Sequence, residues 1–308
     1  MKEVYAIAGV SKQAHHQYQL AERNKELLVD SLITEVDLIR SDHPGCGLEK
    51  LYWILQPKGI GRDRFISTFQ GLGYGVQKQR NYHRTTIPTH IKFPNLITGM
   101  LLDGGNQLWQ SDITYMYVAG KHYYLTFIID AYTKVIKGYN VSNHMRAEAN
   151  IEALKRAFKC SAKSVEGLIH HSDRGSQYVD KDYQGLLIKN GIHVSMGMKA
   201  QDNAYAERIN GIIKNEYLKY RTIKDYAGLK KRVKKEVEHY NEKRPHNHLP
   251  NRVSPKQFEK ELIYLIDQDR PTVIVYSEGN YKIKGAFSPN DFRPRTGPQV
   301  PVCPIVNN

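Results

Sequence analysis

Leu108-Trp109-Gln110-Ser111-Asp112-Ile113-Thr114-Tyr115 decides how the rest of the chain is read. From Trp109 to Val118 the run alternates as a strand does, with Ile113, Tyr115 and Tyr117 on one face and Asp112, Thr114 and Met116 on the other. Strands disfavour aspartate, so a carboxylate in the middle of this one needs a purpose. Two further acids stand in comparable settings. Asp173 follows the short apolar run Gly167–Ile169 and precedes Arg174-Gly175, the pattern of a strand end entering a turn. Glu207, in Asp202-Asn203-Ala204-Tyr205-Ala206-Glu207-Arg208-Ile209-Asn210-Gly211, falls in the first turns of a helix that Asn203 can cap, with Ala206, Ile209, Ile213 and Tyr217 as its apolar stripe. Between Asp173 and Glu207 the pattern predicts a helix over 180–190 and a strand over 192–195, which returns Glu207 to the sheet.

Taken singly, Asp173 reads as a turn residue, Glu207 as a solvated helix position and Asp112 as an open choice between structure and chemistry. As a set, three separated carboxylates without a cysteine or histidine cluster suit magnesium-assisted phosphoryl transfer. Mg2+ prefers oxygen, keeps several waters, and is held by one or two carboxylates plus substrate phosphate.

The ordered motifs WQSDITY, FIIDAYTK, HHSDRGSQY, GIHVSMGMK, DNAYAERING and YNEKRPHNHL followed by SPKQF resemble the DDE transposases of the bacterial IS three insertion-sequence family. The catalytic core of that family is similar to retroviral integrases. The resemblance implies an α/β chain with a ribonuclease H-like core on a mixed five-stranded sheet, preceded by a helical helix-turn-helix region and followed by a helical and small β tail. It implies that Asp112, Asp173 and Glu207 are both catalytic residues and metal ligands, for Mg2+ with Mn2+ as a substitute. Water opens the phosphodiester at an element's end, and the freed 3′-hydroxyl then attacks a second phosphodiester without a covalent enzyme intermediate. Here 33 residues intervene between Asp173 and Glu207, two fewer than is usual in the family, and the shortening falls between Ser195-Met196 and Asp202-Asn203.

Lys214, two helical turns beyond Glu207, matches a basic position the family uses near terminal DNA, and Arg208 adjoins the acid. Gly211 permits either close approach of a DNA backbone or tight packing, and Asp130 reads as a turn-forming or supporting acid. His170 and His171 invite a zinc site, but Cys46, Cys160 and Cys303 are scattered singly and supply no paired ligands. This cysteine usage fits a reducing compartment.

Forty-five Lys and Arg against 31 Asp and Glu give a net charge of +14. Residues 208–260 hold 15 basic and 6 acidic side chains, or +9 of that total, while residues 1–100 hold 13 and 9, only +4. The excess is concentrated just after the third acid, where Lys230, Lys231 and Arg232 are expected to meet DNA backbone. The chain divides into a helical segment over 1–45 with helix-turn-helix spacing (helices at Glu3 to Ala8 and Ser11 to about Arg23), a second such unit over 46–85, and a linker over 86–105. The core over 106–222, a basic helical extension over 223–265 and a β hairpin with a proline-rich tail over 266–308 complete it. In the second unit, helices Leu48–Leu55 and Arg62–Leu72 flank Pro57-Lys58-Gly59-Ile60-Gly61, and Lys58, Arg62 and Arg64 are its candidate DNA contacts. The hairpin is expected over Thr272–Tyr276 and Asn280–Ala286.

The partners so implied are double-stranded DNA, both terminal inverted repeats and target, a homo-oligomer assembled on it, and a protein from an upstream reading frame of the same element. No apolar run is long enough to span a membrane, which places the protein in the bacterial cytoplasm with the nucleoid. Two other functions stay open: a catalytically silent DNA-binding regulator, and a structure-selective nuclease on the same fold.

Overall fold

The structure, a computed structural model, describes residues 11–76, 93–161, 164–197, 200–266 and 269–275. The expected helix at Glu3 to Ala8, the second half of the expected hairpin and the proline-rich tail lie outside them.

Three helices form the amino-terminal unit. Helix α1 (Lys12–Asp42) opens on Ser11, whose hydroxyl accepts from the Ala14 N–H, and stops before Pro44. It has 31 residues and runs well beyond the Arg23 at which its sequence pattern ends, because Leu32 and Val36, one turn apart, bury its second half. Helices α2 (Leu48–Leu55) and α3 (Arg62–Gly71) are joined as expected by the Pro57–Gly61 turn, in which Gly59 takes φ +89. Phe65 and Phe69, stacked at 4.4 Å, close a core with Leu32, Val36, Cys46, Leu48 and Leu51.

The catalytic-type core is a five-stranded sheet. Strands β2 (Leu108–Val118), β3 (Lys121–Asp130) and β4 (Ile136–Ser142) form an antiparallel meander, and β5 (Ile169–Ser172) and β6 (His193–Met196) add parallel to β2, in the order β4-β3-β2-β5-β6. This mixed order is the ribonuclease H-like arrangement that the resemblance implies. One face packs on α4 (Ala147–Cys160) and α5 (Lys181–Lys189) through Trp109, Ile128, Leu154, Tyr178 and Leu187. At Gly138 of β4 an added Cβ would lie 2.1 Å from the Ala153 carbonyl oxygen, so glycine sets the close approach of α4. The other face receives α6 (Ala204–Ile212) and α7 (Tyr226–Glu242), with Phe127, Ile209, Ile213, Tyr217, Val233 and Tyr240 buried between them.

Three local departures from the sequence pattern have physical reasons. After α6 the chain continues as a π-helical turn, Ile213–Tyr217, which keeps Ile213 and Tyr217 in the core while shifting the register beyond them. Residues 93–102, expected as linker, lie against the sheet: the Leu96 N–H donates to Ser195 Oγ, and Ile97 and Leu102 are buried. Val273–Ile274 (β7) pairs with Leu101–Leu102 (β1), a contact the sequence does not suggest, and Leu102 and Val275 share a small core with Tyr132, Leu249 and Phe258. Helix α8 (Pro255–Glu261), capped by Ser254, supplies Phe258 to that core.

Candidate active site

Asp112 sits mid-strand in β2, Asp173 one residue beyond β5, and Glu207 in the first turn of α6. Parallel pairing sets Ser111 opposite Ser172, which leaves Asp112 and Asp173 as the next residues on adjacent strands. The faces of β2 are those its alternation predicts, with Asp112 and Thr114 turned towards α6 and the π turn.

Two residues that the sequence did not single out, Gln110 and Asn210, hold Glu207's helix in place together with Asn203. Gln110 donates its amide N–H to the Asp202 carbonyl at 3.2 Å and accepts from the Tyr205 N–H at 3.0 Å. Asn203 does not cap α6 with its side chain, as expected of it, but donates to the Ser111 carbonyl at 2.8 Å. Asn210 donates to Asp112 Oδ2 at 2.8 Å. Three successive residues of β2 therefore grip the start and middle of α6, and the amides at 203 and 210 within the motif of the third acid were the available signal. On the other strand, the Gly175 N–H donates to Asp173 Oδ1 at 3.0 Å and Ser111 Oγ meets Tyr178 OH at 3.0 Å.

The three acids are close enough to repel one another. Burial, then the charge of Asp173 and more weakly that of Glu207, push the Asp112 carboxyl up to about 8, against hydrogen bonds from Ile113 and Asn210. Burial and Asp173 likewise raise Glu207, although that side chain is solvent-exposed. Among the described residues no three His, Cys, Asp or Glu side chains stand at metal-holding distances. The arrangement is thus an open set of oxygen donors with excess negative charge. That chemistry fits a hard divalent cation completing its shell with water and phosphate, which Asp112, Asp173 and Glu207 would hold by drawing closer together than they stand here.

The basic candidates separate into distinct settings. Lys214 donates to Thr114 Oγ1 at 3.2 Å and lies 5.0 Å from the centre of the Tyr115 ring, beside the acids, with burial lowering its pKa. Arg208 is exposed next to Glu207, and Lys58, Arg62 and Arg64 are exposed on the α2–α3 unit, with Arg62 paired to Asp63 at 2.8 Å. Lys230 and Lys231 are exposed on α7. Arg232 is not part of their face: it reaches back to Glu236, whose side chain is fully buried and is also met by Arg221, each at 3.3 Å. A sequence run of basic residues does not reveal which member turns inward. At Gly211 an added Cβ would meet only Asn215 Nδ2, at 4.0 Å, so packing does not require the glycine. Asp130 is buried and accepts from the N–H groups of Tyr132 and Thr133 at 3.0 and 2.8 Å and from Asn106, as a turn-forming acid does. His170 and His171 are core residues bonded to Tyr183 OH and Ser195 Oγ, and burial lowers them to about 3 and about 4.

A second cluster, which no local pattern foretells, surrounds Glu216 on the π turn. Its carboxylate accepts from His43 at 2.9 Å, from Lys50 at 2.9 and 3.1 Å, and from Arg244 Nε and Nη2 at 2.9 Å each. Burial opposes that charge, but the hydrogen bonds of His43 and Arg244 and the charges of Arg244 and Lys50 hold the carboxyl well below the usual range. His43 stacks on Tyr217 at 4.4 Å, and Gly45 N–H donates to the Glu216 carbonyl at 2.8 Å, where an added Cβ would lie 2.6 Å from Glu216 Cα. The amino-terminal helices are thereby locked to the continuation of the helix that carries Glu207.

Two models described as "Integrase core domain" match residues 103–201 and 190–255. The "Insertion element IS600 uncharacterized 31 kDa protein" of Shigella sonnei is 31% identical over 266 residues, which is 83% of this chain and 97% of that protein. The transposase for insertion sequence element IS629 of Shigella sonnei is 34% identical over 53% of this chain and 55% of its own. Transposase InsF for insertion sequence IS3A of Escherichia coli K12 is 32% identical over 51% and 55%. Among solved structures, the HTLV-2 integrase catalytic core domain in complex with magnesium is 20% identical, with a TM-score of 0.41 over 54% of this chain and 99% of that one. With the motifs, the sheet order and a relative matched over nearly its whole length, the chain belongs to the insertion-sequence transposases of the IS3 type, DNA-acting polynucleotidyl transferases built on an integrase core.

Proposed function

We propose that this transposase cleaves the ends of its insertion sequence and joins them to target DNA at a site formed by Asp112, Asp173 and Glu207, with Mg2+ as the resident metal and Mn2+ as a substitute. The convergence of the three carboxylates from two adjacent strands and a helix, close enough that Asp173 raises both of the others, carries this reading. Bound divalent metal supplies charge neutralisation at the phosphodiester and lowers the barrier to in-line attack. The chain's own residues do the positioning. Gln110 and Asn203 fix the start of α6, and Asn210 orients the Asp112 carboxylate. Lys214, anchored on Thr114, and the exposed Arg208 offer positive charge to the phosphates flanking the scissile bond. Lys230 and Lys231 extend the track along α7, while Lys58, Arg62 and Arg64 on the α2–α3 unit engage the terminal inverted repeat. Two ends must be bridged, which calls for a homo-oligomer on DNA, and an upstream-frame protein of the same element is a further partner.

The test is strand transfer by the purified full chain on labelled DNA bearing the element's ends, in Mg2+ and in EDTA. Metal-dependent joining that disappears in Glu207→Gln is the expected result. Binding without cleavage would favour a regulator, and cleavage without joining a nuclease.

A further inference from the structure

Strand β5 ends at Ser172, opposite Ser111, but β2 continues to Val118 and stays paired with β3 as far as Val118 and Lys121. Past the acids, no strand among the described residues pairs with the β5 side of β2. On the strand face that carries Ile113 and Tyr115, opposite that of Asp112, a cavity of about 310 Å3 opens there. Its walls are the rings of Tyr115, His122 and Tyr124 with the aliphatic surfaces of Ile113 and Met145, and Asp173 and Gln177 line it from the loop after β5. Tyr115 and His122 meet edge to face at 5.5 Å.

We infer that this cavity receives one unstacked nucleobase of the DNA strand whose phosphodiester lies at Asp112, Asp173 and Glu207. The inference rests on the proposed catalytic role of those acids and adds a subsite to it. Asp173 is common to both places: it lines the cavity and acts electrostatically on Asp112, so an occupant is within a nucleotide's reach of the reacting phosphate. The volume stands at the lower end of the roughly 300–1,000 Å3 of small-molecule sites, ample for one base. The lining holds three rings and no lysine or arginine, which suits a planar uncharged group and not a phosphate. Gln177 can meet the hydrogen-bonding edge of a base, and Lys214, over Tyr115 at 5.0 Å, places positive charge where the phosphate of the same nucleotide would lie. Enzymes that work at a particular nucleotide commonly draw its base out of the stack, and aromatic rings accept any base because every base has a π face.

The test measures dissociation constants in EDTA for the full chain on duplexes carrying the element's ends, with either an intact base or an abasic site at each nucleotide flanking the scissile phosphate. Tyr124→Leu and His122→Ala should each weaken binding of intact DNA by roughly 10-fold, and the loss should vanish when one particular flanking nucleotide is abasic. Tyr124→Phe, which keeps the ring, should bind as the wild type does. 2-Aminopurine at that nucleotide should change its emission on binding the wild type and far less on binding Tyr124→Leu. Equal losses on intact and abasic DNA at every position, or no loss at all, would overturn the inference, and His122→Ala decides alone should Tyr124→Leu not fold. Position-specific coupling in a protein that cuts nothing in Mg2+ would keep the base site and remove the catalytic reading. Metal-dependent cleavage without the coupling would do the reverse.

Discussion

Replacing Glu216 by Gln tests whether the amino-terminal helices are held by a buried charge cluster or merely rest on the core. Gln keeps the shape but removes the negative charge that answers Lys50 and Arg244, whose side chains are 15% and 5% exposed. Removing one partner of a buried ion pair costs about 3–5 kcal/mol, because the remaining charge is left uncompensated. At roughly 2–4 °C per kcal/mol for chains of 150–250 residues, the melting temperature should fall by about 10 °C at pH 7. Salt should change this little, since screening acts on exposed pairs. Circular dichroism melts give the number, and limited proteolysis between α1 and α2 reports release of the amino-terminal unit. The pH dependence has a definite sign. Glu216 is depressed in the folded state, so its stabilisation is complete above its ordinary value of 4.5 and drains away as pH falls below it. The wild type should therefore lose stability on acidification more steeply than Glu216→Gln. A melting temperature for Glu216→Gln within about 2 °C of the wild type would refute the reasoning.

Gly45→Ala should destabilise by about 1–3 kcal/mol in chemical denaturation, since its Cβ would press on the Glu216 backbone at 2.6 Å. Asp112→Asn should raise the metal-free melting temperature at pH 7 by several degrees: a carboxyl raised to about 8 when folded against 3.8 ordinarily contributes stability at low pH that is lost as pH rises from the ordinary value towards the folded one. For the same reason Mg2+ affinity, measured by calorimetry, should increase with pH up to about 8, because a cation must displace the proton of the Asp112 carboxyl. Lys231→Ala should weaken DNA binding and reduce the salt slope by about one unit, whereas Arg232→Ala should lower the melting temperature and leave that slope nearly unchanged.

What the sequence made legible was local. An aspartate inside an alternating run, an aspartate at a strand end and a glutamate in the first helical turn each announced their positions, and the helix expected over 180–190 forms as α5, capped by Asp180, which accepts from the N–H groups of Asp182 and Tyr183. What stayed hidden depends on contacts between distant residues. Glu216 meets positions 43, 50 and 244, β7 finds its partner some 170 residues earlier, and Arg232 turns inward because Glu236 is buried. The grip of Gln110 and Asn210 on α6 was half visible, since both lie inside the motifs, but amides there read equally well as cap or surface residues. The π turn left no signature, because Ile213 and Tyr217 suit the stripe of an ordinary α-helix equally well.

That π turn has a consequence for how the protein can change over generations. A single residue advances a helix by about 100°, so deleting one residue between Glu207 and Glu216 would swing the carboxylate at 216 away from His43, Lys50 and Arg244 while Glu207 stayed where it is. Between Met196 and Asp202 no such gearing is expected, since β6 and α6 are pinned separately, by β5 and by β2. Length variation is thus better tolerated between β6 and α6 than between Glu207 and Glu216, and the former is the segment in which the family resemblance places the two-residue shortening of this chain.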